Sequence, residues 1–521
     1  MPRELARALA QGLQAAGVQR MFGMPGGGPN LDMIGAAQDA GIPFVLAHGE
    51  TAACIMAASY GRLTGTPGVA VVTRGPGLTS AANGLAQATL DRFPLLLVSD
   101  TVSAAHAGRV AHQRLDQVAA ARPLTKWSGT LGRGEPAALV QAAACLALAA
   151  PAGAVHLTFD PTVDGDAAPA LPTCPRVDPA ALARAQELLG GARRPVVVVG
   201  LGAVAHAEEV RAALAALDCP VLVTYEAKGV VPESWPTYAG LFTGATIERP
   251  LLEQADLVLG VGLDAVEPMP GPWPYRAPVV LLHSHVAETA YFGDPLLLVG
   301  SYAEHLPLLL AAARPDWPAG TGSQTRRRAA ERLQVPTGGL SPLDVVRTTR
   351  QVLPQAPLTV DAGAHMLVAM PLWETDEPGS VLISNGLATM GFSLPAAVAM
   401  ALARPGRRVV AFTGDGGLGM VLAELETLAR LQLDVTVVVF NDAALTLIEL
   451  KQGAGQGGAG AVRYGAVDFA AVATAMGVPG RTAYDVAGLR EALTAAGSGP
   501  RLVDARVDPA AYPHVIRALR G

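Results

Sequence analysis

The sequence predicts an α/β chain of three doubly wound, parallel-sheet domains. Three observations lead there. Short β-branched runs are apolar throughout instead of alternating, as strands are when helices cover both faces of a parallel sheet. Ala- and Leu-rich stretches of helical length alternate with those runs, giving repeated α/β units. Two seams rich in Pro, Asp and Gly, Asp160 to Val177 and Arg314 to Leu340, cut the chain into pieces of domain size, 1–165, 178–315 and 340–521.

Taken in order, MPRELARALAQGLQAAGV reads as an amphipathic helix without the apolar core of a signal peptide. Strand-like runs follow at PFVLA, VAVVT (69–73) and PLLLVSD (94–100). The stretch from Pro136 to Val155 contains Gln141 and is broken by Pro151-Ala152-Gly153, so it reads as a buried Ala/Leu helix and not a bilayer span. The middle piece supplies PVVVVG (195–200), DLVLGVG (256–262) and PVVLLHS (278–284). The last piece supplies RRVVAFTGD (407–415) and DVTVVVFND (434–442).

Half of the 521 residues are apolar and 16% are charged, which excludes an extended disordered chain. The net charge of −6 and the single basic cluster Arg326-Arg327-Arg328 argue against a nucleic-acid surface. Cys54, Cys145, Cys174 and Cys219 are widely spaced and form no C-x-x-C. Neither a disulfide framework nor a zinc site is expected, and a reducing cytoplasm is the expected location.

The most informative stretch runs from Thr413 to Asp442. A strand ends at Thr413, Gly414-Asp415-Gly416-Gly417 makes a tight turn, a helix MVLAELETLARL follows, and a second strand ends at Asn441-Asp442. Ligands of open α/β sheets bind beyond the carboxyl ends of strands. Two carboxylates there, beside glycine N–H groups, suit a hard divalent cation bridging to a diphosphate. Gly-Asp-Gly alone is a common turn; the Asn-Asp after 24 intervening residues turns the reading toward a site.

Here the chain resembles the thiamine-diphosphate-dependent 2-oxo-acid decarboxylase and acetolactate synthase family, whose cofactor-anchoring motif is GDG followed by N-N or N-D. That resemblance implies a thiamine-diphosphate-binding fold, with two cofactor domains flanking a Rossmann-like central one. It implies Mg2+ held by Asp415, Asp442 and the Ala444 carbonyl, with cofactor contacts from Gly414, Gly416, Gly417, Leu445, Thr446 and Leu447. In SNGLATMGFSLPAA (384–397) it places Gly386, Ala388 and Met390 at the cofactor, with Met390 bending it into a V. Gly363, Ala364 and His365 fall in the loop touching the diphosphate, where Ala364 stands in place of the family's frequent Gln.

The first third carries the resemblance further. FGMPGGGPN (22–30) brings Gly26 and Gly27, and TRGPGLTSAANGLAQATLDRFPLLLVSD (73–100) brings Pro76. Glu50, before an Ala-rich helix, would otherwise read as a helix-capping carboxylate; it falls where the family has its indispensable glutamate. The implied role is catalytic, a hydrogen bond to N1′ of the aminopyrimidine. His112 and Gln113, in AHQRLDQVAAARPLTKWS (111–128), fall in a segment of the active site, although His112 and Arg114 depart from the family's Phe and Glu. His48 reads as a solvated histidine, and Glu449 with Lys451 as a solvated helix face.

PVVVVGLGAVAHAEEV (195–210) is a strand, a Gly-x-Gly turn and a helix lacking the third glycine of a dinucleotide fingerprint. Leu263-Asp264-Ala265-Val266-Glu267 replaces the Arg-rich segment of the FAD-binding synthases, so no tightly bound FAD is expected. The resemblance implies a small 2-oxo acid as substrate. It implies a homodimer or homotetramer with active sites at the subunit interface, and no nucleic-acid or membrane partner. Acetolactate-synthase-like carboligation leads. A benzoylformate-type decarboxylase is the alternative, ahead of a non-catalytic cofactor-binding paralogue or a flavin oxidase.

Overall fold

The structure is a computed structural model and describes residues 2–173, 176–335, 338–452, 456, 458–495 and 497–521. Cys174 lies outside the described residues; Cys54, Cys145 and Cys219 are free thiols.

Three six-stranded sheets follow one another along the chain, all their strand pairs parallel. The first contains β1 (Met21–Met24), β2 (Phe44–Leu46), β3 (Gly68–Val72), β4 (Leu95–Asp100), β5 (Trp127–Arg133) and β6 (Ala154–Asp164), in the order β2-β1-β3-β4-β6-β5. The second contains β7 (Pro195–Val199), β8 (Val221–Val223), β9 (Tyr238–Leu241), β10 (Leu257–Val261), β11 (Val279–His283) and β12 (Leu296–Val299), in the order β12-β11-β10-β7-β8-β9. The third contains β13 (Leu358–Val360), β14 (Val381–Ile383), β15 (Val409–Gly414), β16 (Val435–Asn441), β17 (Gly480–Ala483) and β18 (Arg501–Arg506), in the order β14-β13-β15-β16-β18-β17.

Each order reverses direction between its central strands, β1 and β3, β7 and β10, and β13 and β15, and the two outer sheets turn back again at their far edge, where β6 lies inside β5 and β18 inside β17. Loops diverge at such a reversal and leave a crevice at the carboxyl ends of the strands. The central strands β3, β4, β7, β10 and β16 are buried along their whole length, which is why they read as unbroken apolar runs.

The outer domains pack directly on each other. Helix Glu50–Thr64 lies against helix Ser393–Ala403 in one shared apolar core. Ten consecutive residues, Ala52 to Gly61, are buried, so this helix has no polar face to show. Small side chains let it approach both its own sheet and the neighbouring domain.

Two expectations need correcting. The stretch after β15 is not a turn and one helix. Asp415–Met420 is already helical, the chain bends at 421–423, and a second helix runs Glu424–Leu431. Gly416, Gly417 and Gly419 give the first piece weak helical propensity, so it stays short. After β7, a 3-10 segment, Leu201–His206, separates the Gly-x-Gly turn from the helix Ala207–Leu214.

Candidate active site

β15 and β16 are neighbours, and their ends bring Asp415 and Asp442 together. Asp415 is buried, and its carboxylate is held on both sides. Oδ1 accepts from Gly416 N at 2.7 Å and from the Tyr464 hydroxyl at 2.6 Å, and Oδ2 accepts from Ala443 N at 2.7 Å. Asp442 is half-buried and accepts from the Thr446 hydroxyl. Burial, and then the negative charge of Asp415, push its carboxyl up to about 6, against the Thr446 bond. Burial likewise raises Asp415. Two buried or half-buried carboxylates, one raised by the charge of the other, suit a cation.

Among the described residues, no cluster of three or more His, Cys, Asp or Glu side chains is arranged for a metal. A two-carboxylate donor set fits Mg2+, which takes one or two carboxylates and completes its shell with phosphate and water oxygens. The surroundings also fit an anion. His365 is buried and stacks on Phe440 with centroids 5.2 Å apart and planes at 23°. Burial lowers its pKa to about 4; its backbone partner is Asp361, and Nε2 has none. The ring packs beside Gly363 and Gly414, so an anion on those glycines would supply the missing partner. Gly416 is closely surrounded by side chains. A Cβ there would lie 2.8 Å from Leu445 Cδ2, 3.1 Å from the Tyr464 hydroxyl and 3.4 Å from the Met390 methyl. Met390, Leu445 and Gly416 are thereby placed around one point, and Ala444, Thr446 and Leu447 continue the wall into helix Thr446–Lys451.

The loop carrying Gly386, Ala388 and Met390 follows β14. It is pinned from both other domains. Asp91, buried at the end of helix Pro76–Leu90, accepts from Gly386 N at 2.6 Å and Leu387 N at 3.0 Å. Asn83 Nδ2 donates to Thr389 Oγ1 at 2.7 Å. From the central domain, the Glu267 carbonyl accepts from Asn385 Nδ2 at 2.9 Å. Asp91 and Asn83 both fall in the 73–100 segment that carries the family resemblance, but the segment itself assigns no role to either, and the fold reveals it.

The amino-terminal residues gather at the reversal between β1 and β3. Gly26 N donates to Asn30 Oδ1 at 2.7 Å, and buried Asn30 donates to the Val72 carbonyl at 3.1 Å, so Gly26 and Gly27 are tied to the end of β3. Pro76 opens the next helix after Gly75, whose N–H donates to Gln117 Oε1 at 3.1 Å. Glu50 is half-buried at the first position of helix Glu50–Thr64. His112 and Gln113 are exposed, and Gln113 has φ of 56°. Among the described residues, no hydrogen bond or ion pair joins Glu50, Gly26, Gly27, Pro76, His112 or Gln113 to Asp415 or Asp442 within the chain.

The structure gives partners to two side chains read as solvated, His48 and Glu449, and adds Tyr464, for which the sequence offers no reading. His48 is exposed but not free: its N–H donates to Glu424 Oε1 at 2.9 Å, and Nε2 lies 2.7 Å from Glu426 Oε2. Glu449 pairs with Arg463, Nε to Oε1 at 2.7 Å. Tyr464, which reaches Asp415, lies beyond a Gly/Ala-rich stretch that gives no local cue to it.

Comparison with known proteins agrees with the three-domain architecture. Residues 3–120 match the thiamine pyrophosphate enzyme N-terminal TPP binding domain, 182–291 the central domain and 361–505 the C-terminal TPP binding domain. The chain is 31% identical to acetolactate synthase of Bacillus subtilis (strain 168), across 94% of its length and 91% of that relative. It is 29% identical to the catabolic acetolactate synthase of Raoultella terrigena, covering 95% and 93%. A 2-hydroxyacyl-CoA lyase of Oryza sativa subsp. japonica is 32% identical, covering 82% and 81%.

Proposed function

The chain belongs to the thiamine pyrophosphate enzyme family, and from that membership we propose that it decarboxylates a small 2-oxo acid and ligates the remaining fragment to a second one, as an acetolactate-synthase-like carboligase that requires Mg2+. The observation that carries the metal and diphosphate part is the pairing of Asp415 and Asp442 beside the unpartnered Nε2 of His365. The near full-length match to acetolactate synthases supports the reaction class.

When bound, the thiazolium of the cofactor supplies the electron sink for loss of CO2. The chain's own residues hold and orient it. Asp415, Asp442 and the Ala444 carbonyl would hold the cation, and His365 and the glycine edges would hold the diphosphate. A diphosphate beside His365 would favour the protonated ring, which can donate through Nε2. Met390, Leu445 and Gly416 would shape the floor under the ring system, and Glu50 would hold a proton at N1′ of the pyrimidine. His112 and Gln113 are assigned to the substrate side of the same cleft.

Glu50 and the Asp415 cradle are assigned to one site built by two copies of the chain, with a homodimer as the smallest active unit. Exposed apolar side chains on both halves support this. Met24, Leu31 and Leu46 are 37%, 59% and 40% exposed near the N-terminal crevice, and Met420 and Ile448 are 63% and 50% exposed near the C-terminal one. Exposed clusters of this kind mark surfaces that another protein covers.

The central domain is assigned no flavin. The N–H groups of its Gly-x-Gly turn are used internally. Gly200 N donates to Val261 O, Gly202 N to Gly262 O and Ala203 N to Gly200 O. Leu201 N donates to Glu267 Oε2 at 2.9 Å. That carboxylate stands 2.6 Å from where a Cβ on Gly200 would be. An internal carboxyl group, pushed up to about 8 by burial, thus takes the place a dinucleotide phosphate would need.

The test is incubation of the purified chain with thiamine diphosphate, Mg2+ and a panel of 2-oxo acids, with products identified by mass spectrometry. Acetolactate from pyruvate is expected. Free aldehyde as the sole product would replace carboligation by simple decarboxylation.

A further inference from the structure

The carboxylate of Asp415 has three donors, and one of them is a side chain. A carboxylate offers about four lone-pair positions. Gly416 N and the Tyr464 hydroxyl occupy both positions of Oδ1, and Ala443 N occupies one of Oδ2. The Asp442 N–H also faces this carboxylate.

Tyr464 is held in place by its neighbours. Its N–H donates to the Ala443 carbonyl at 3.2 Å, and Leu445 N donates to Val462 O at 2.7 Å. Ala444 and Arg463 form an antiparallel bridge, and Arg463 is paired with Glu449. The 462–464 segment is therefore stitched to the same loop that carries Asp442. The tyrosine is 39% exposed, so removing its hydroxyl opens no hole in a core.

The geometry points to Tyr464 as a positioning residue for the cation site: its O–H, with the backbone N–H groups, fixes the rotation in which the Asp415 carboxylate is offered to a divalent cation. This rests on the reading of Asp415 as a cation ligand. Without the hydroxyl, the second Oδ1 position is freed and the carboxylate can turn between two ways of meeting the cation. Partners that orient a metal ligand are worth about 10- to 100-fold in metal affinity. Two of three donors remain here, so the effect belongs at the lower end, about 10-fold.

The experiment is a calorimetric titration of Mg2+ into the full chain with saturating thiamine diphosphate, for the unchanged protein, Tyr464→Phe and Asp415→Ala. Tyr464→Phe is expected to weaken Mg2+ binding about 10-fold. The apparent Mg2+ requirement of turnover should rise by a similar factor, with a smaller change in the maximal rate. That split between Mg2+ requirement and maximal rate separates positioning from a general structural role. Unchanged Mg2+ affinity in Tyr464→Phe overturns the inference, and tighter binding overturns it too, by making the hydroxyl a competitor of the cation. If Asp415→Ala itself keeps full Mg2+ affinity, the underlying reading of Asp415 fails instead.

Discussion

Replacing Asp91 by Ala separates the cofactor loop from its anchor without touching a residue of the loop. Asp91 is buried and accepts from Gly386 N at 2.6 Å, Leu387 N at 3.0 Å and Gln87 Nε2 at 2.9 Å. Burial raises its carboxyl, and its hydrogen bonds, led by that from Ser384, counter the rise. Hydrogen bonds to a charged group are worth about 1.5–3 kcal/mol each, so the bonds from Gly386, Leu387 and Gln87 alone give a gross loss of about 4.5–9 kcal/mol. Burying the carboxylate itself costs several kcal/mol, and the alanine is relieved of that. The net loss is about 2 kcal/mol, the cost of about one or two orphaned buried donors. Two of the three donors belong to the loop carrying Ala388 and Met390, so the loss should appear as an ordering cost on cofactor binding. An ordering cost of about 2 kcal/mol raises the Kd for thiamine diphosphate about 30-fold. Calorimetry at saturating Mg2+ measures it directly, and Asp91→Asn, which keeps one acceptor oxygen, should fall between. An Asp91→Ala protein that binds the cofactor with unchanged Kd would refute the anchoring argument.

Two more outcomes follow from individual side chains. Glu50→Gln should bind cofactor with near-normal affinity by calorimetry and lose most turnover; full turnover would remove Glu50 from the chemistry. The Asp442 carboxyl, pushed up to about 6 by burial and by Asp415, binds a cation only when ionised. Mg2+-dependent cofactor retention should therefore be full above that value and fall away as the pH drops through about 6. The same raised pKa has the opposite effect on the ligand-free fold. Its contribution to stability is present at low pH and lost as the pH rises from the unfolded value, 3.8, through about 6. Retention that is flat between pH 5 and pH 7 would contradict the pairing.

The layout of sheets was legible because buried parallel strands have no polar face to disguise them. VAVVT, PVVVVG and DVTVVVFND each became a strand within a residue or two of the expected ends. The Asp415 and Asp442 pair was legible for a related reason: both follow directly on such strands, so local sequence fixes their place. Asp91, Asn83, Glu267 and Tyr464 were not. Each acts on a group at least 49 residues away in sequence, across a domain boundary or a glycine-rich loop, and no periodicity encodes such contacts. His48 and Glu449 read as solvated because their partners, Glu426 and Arg463, come from other elements. The bend at 421–423 escaped because the apolar pattern runs on through it.

The account stands on one site assembled from the Glu50 of one chain and the Asp415 cradle of another, and subunit complementation tests that most directly. Glu50→Gln and Asp415→Ala proteins are each expected to be inactive alone. Mixed in equal amounts after dissociation, about half of the dimers are hybrids, and each hybrid carries one site with both residues intact. The account predicts recovery of about one quarter of the unchanged protein's activity. No recovery in demonstrated hybrids would place both residues in a single chain's site and contradict it.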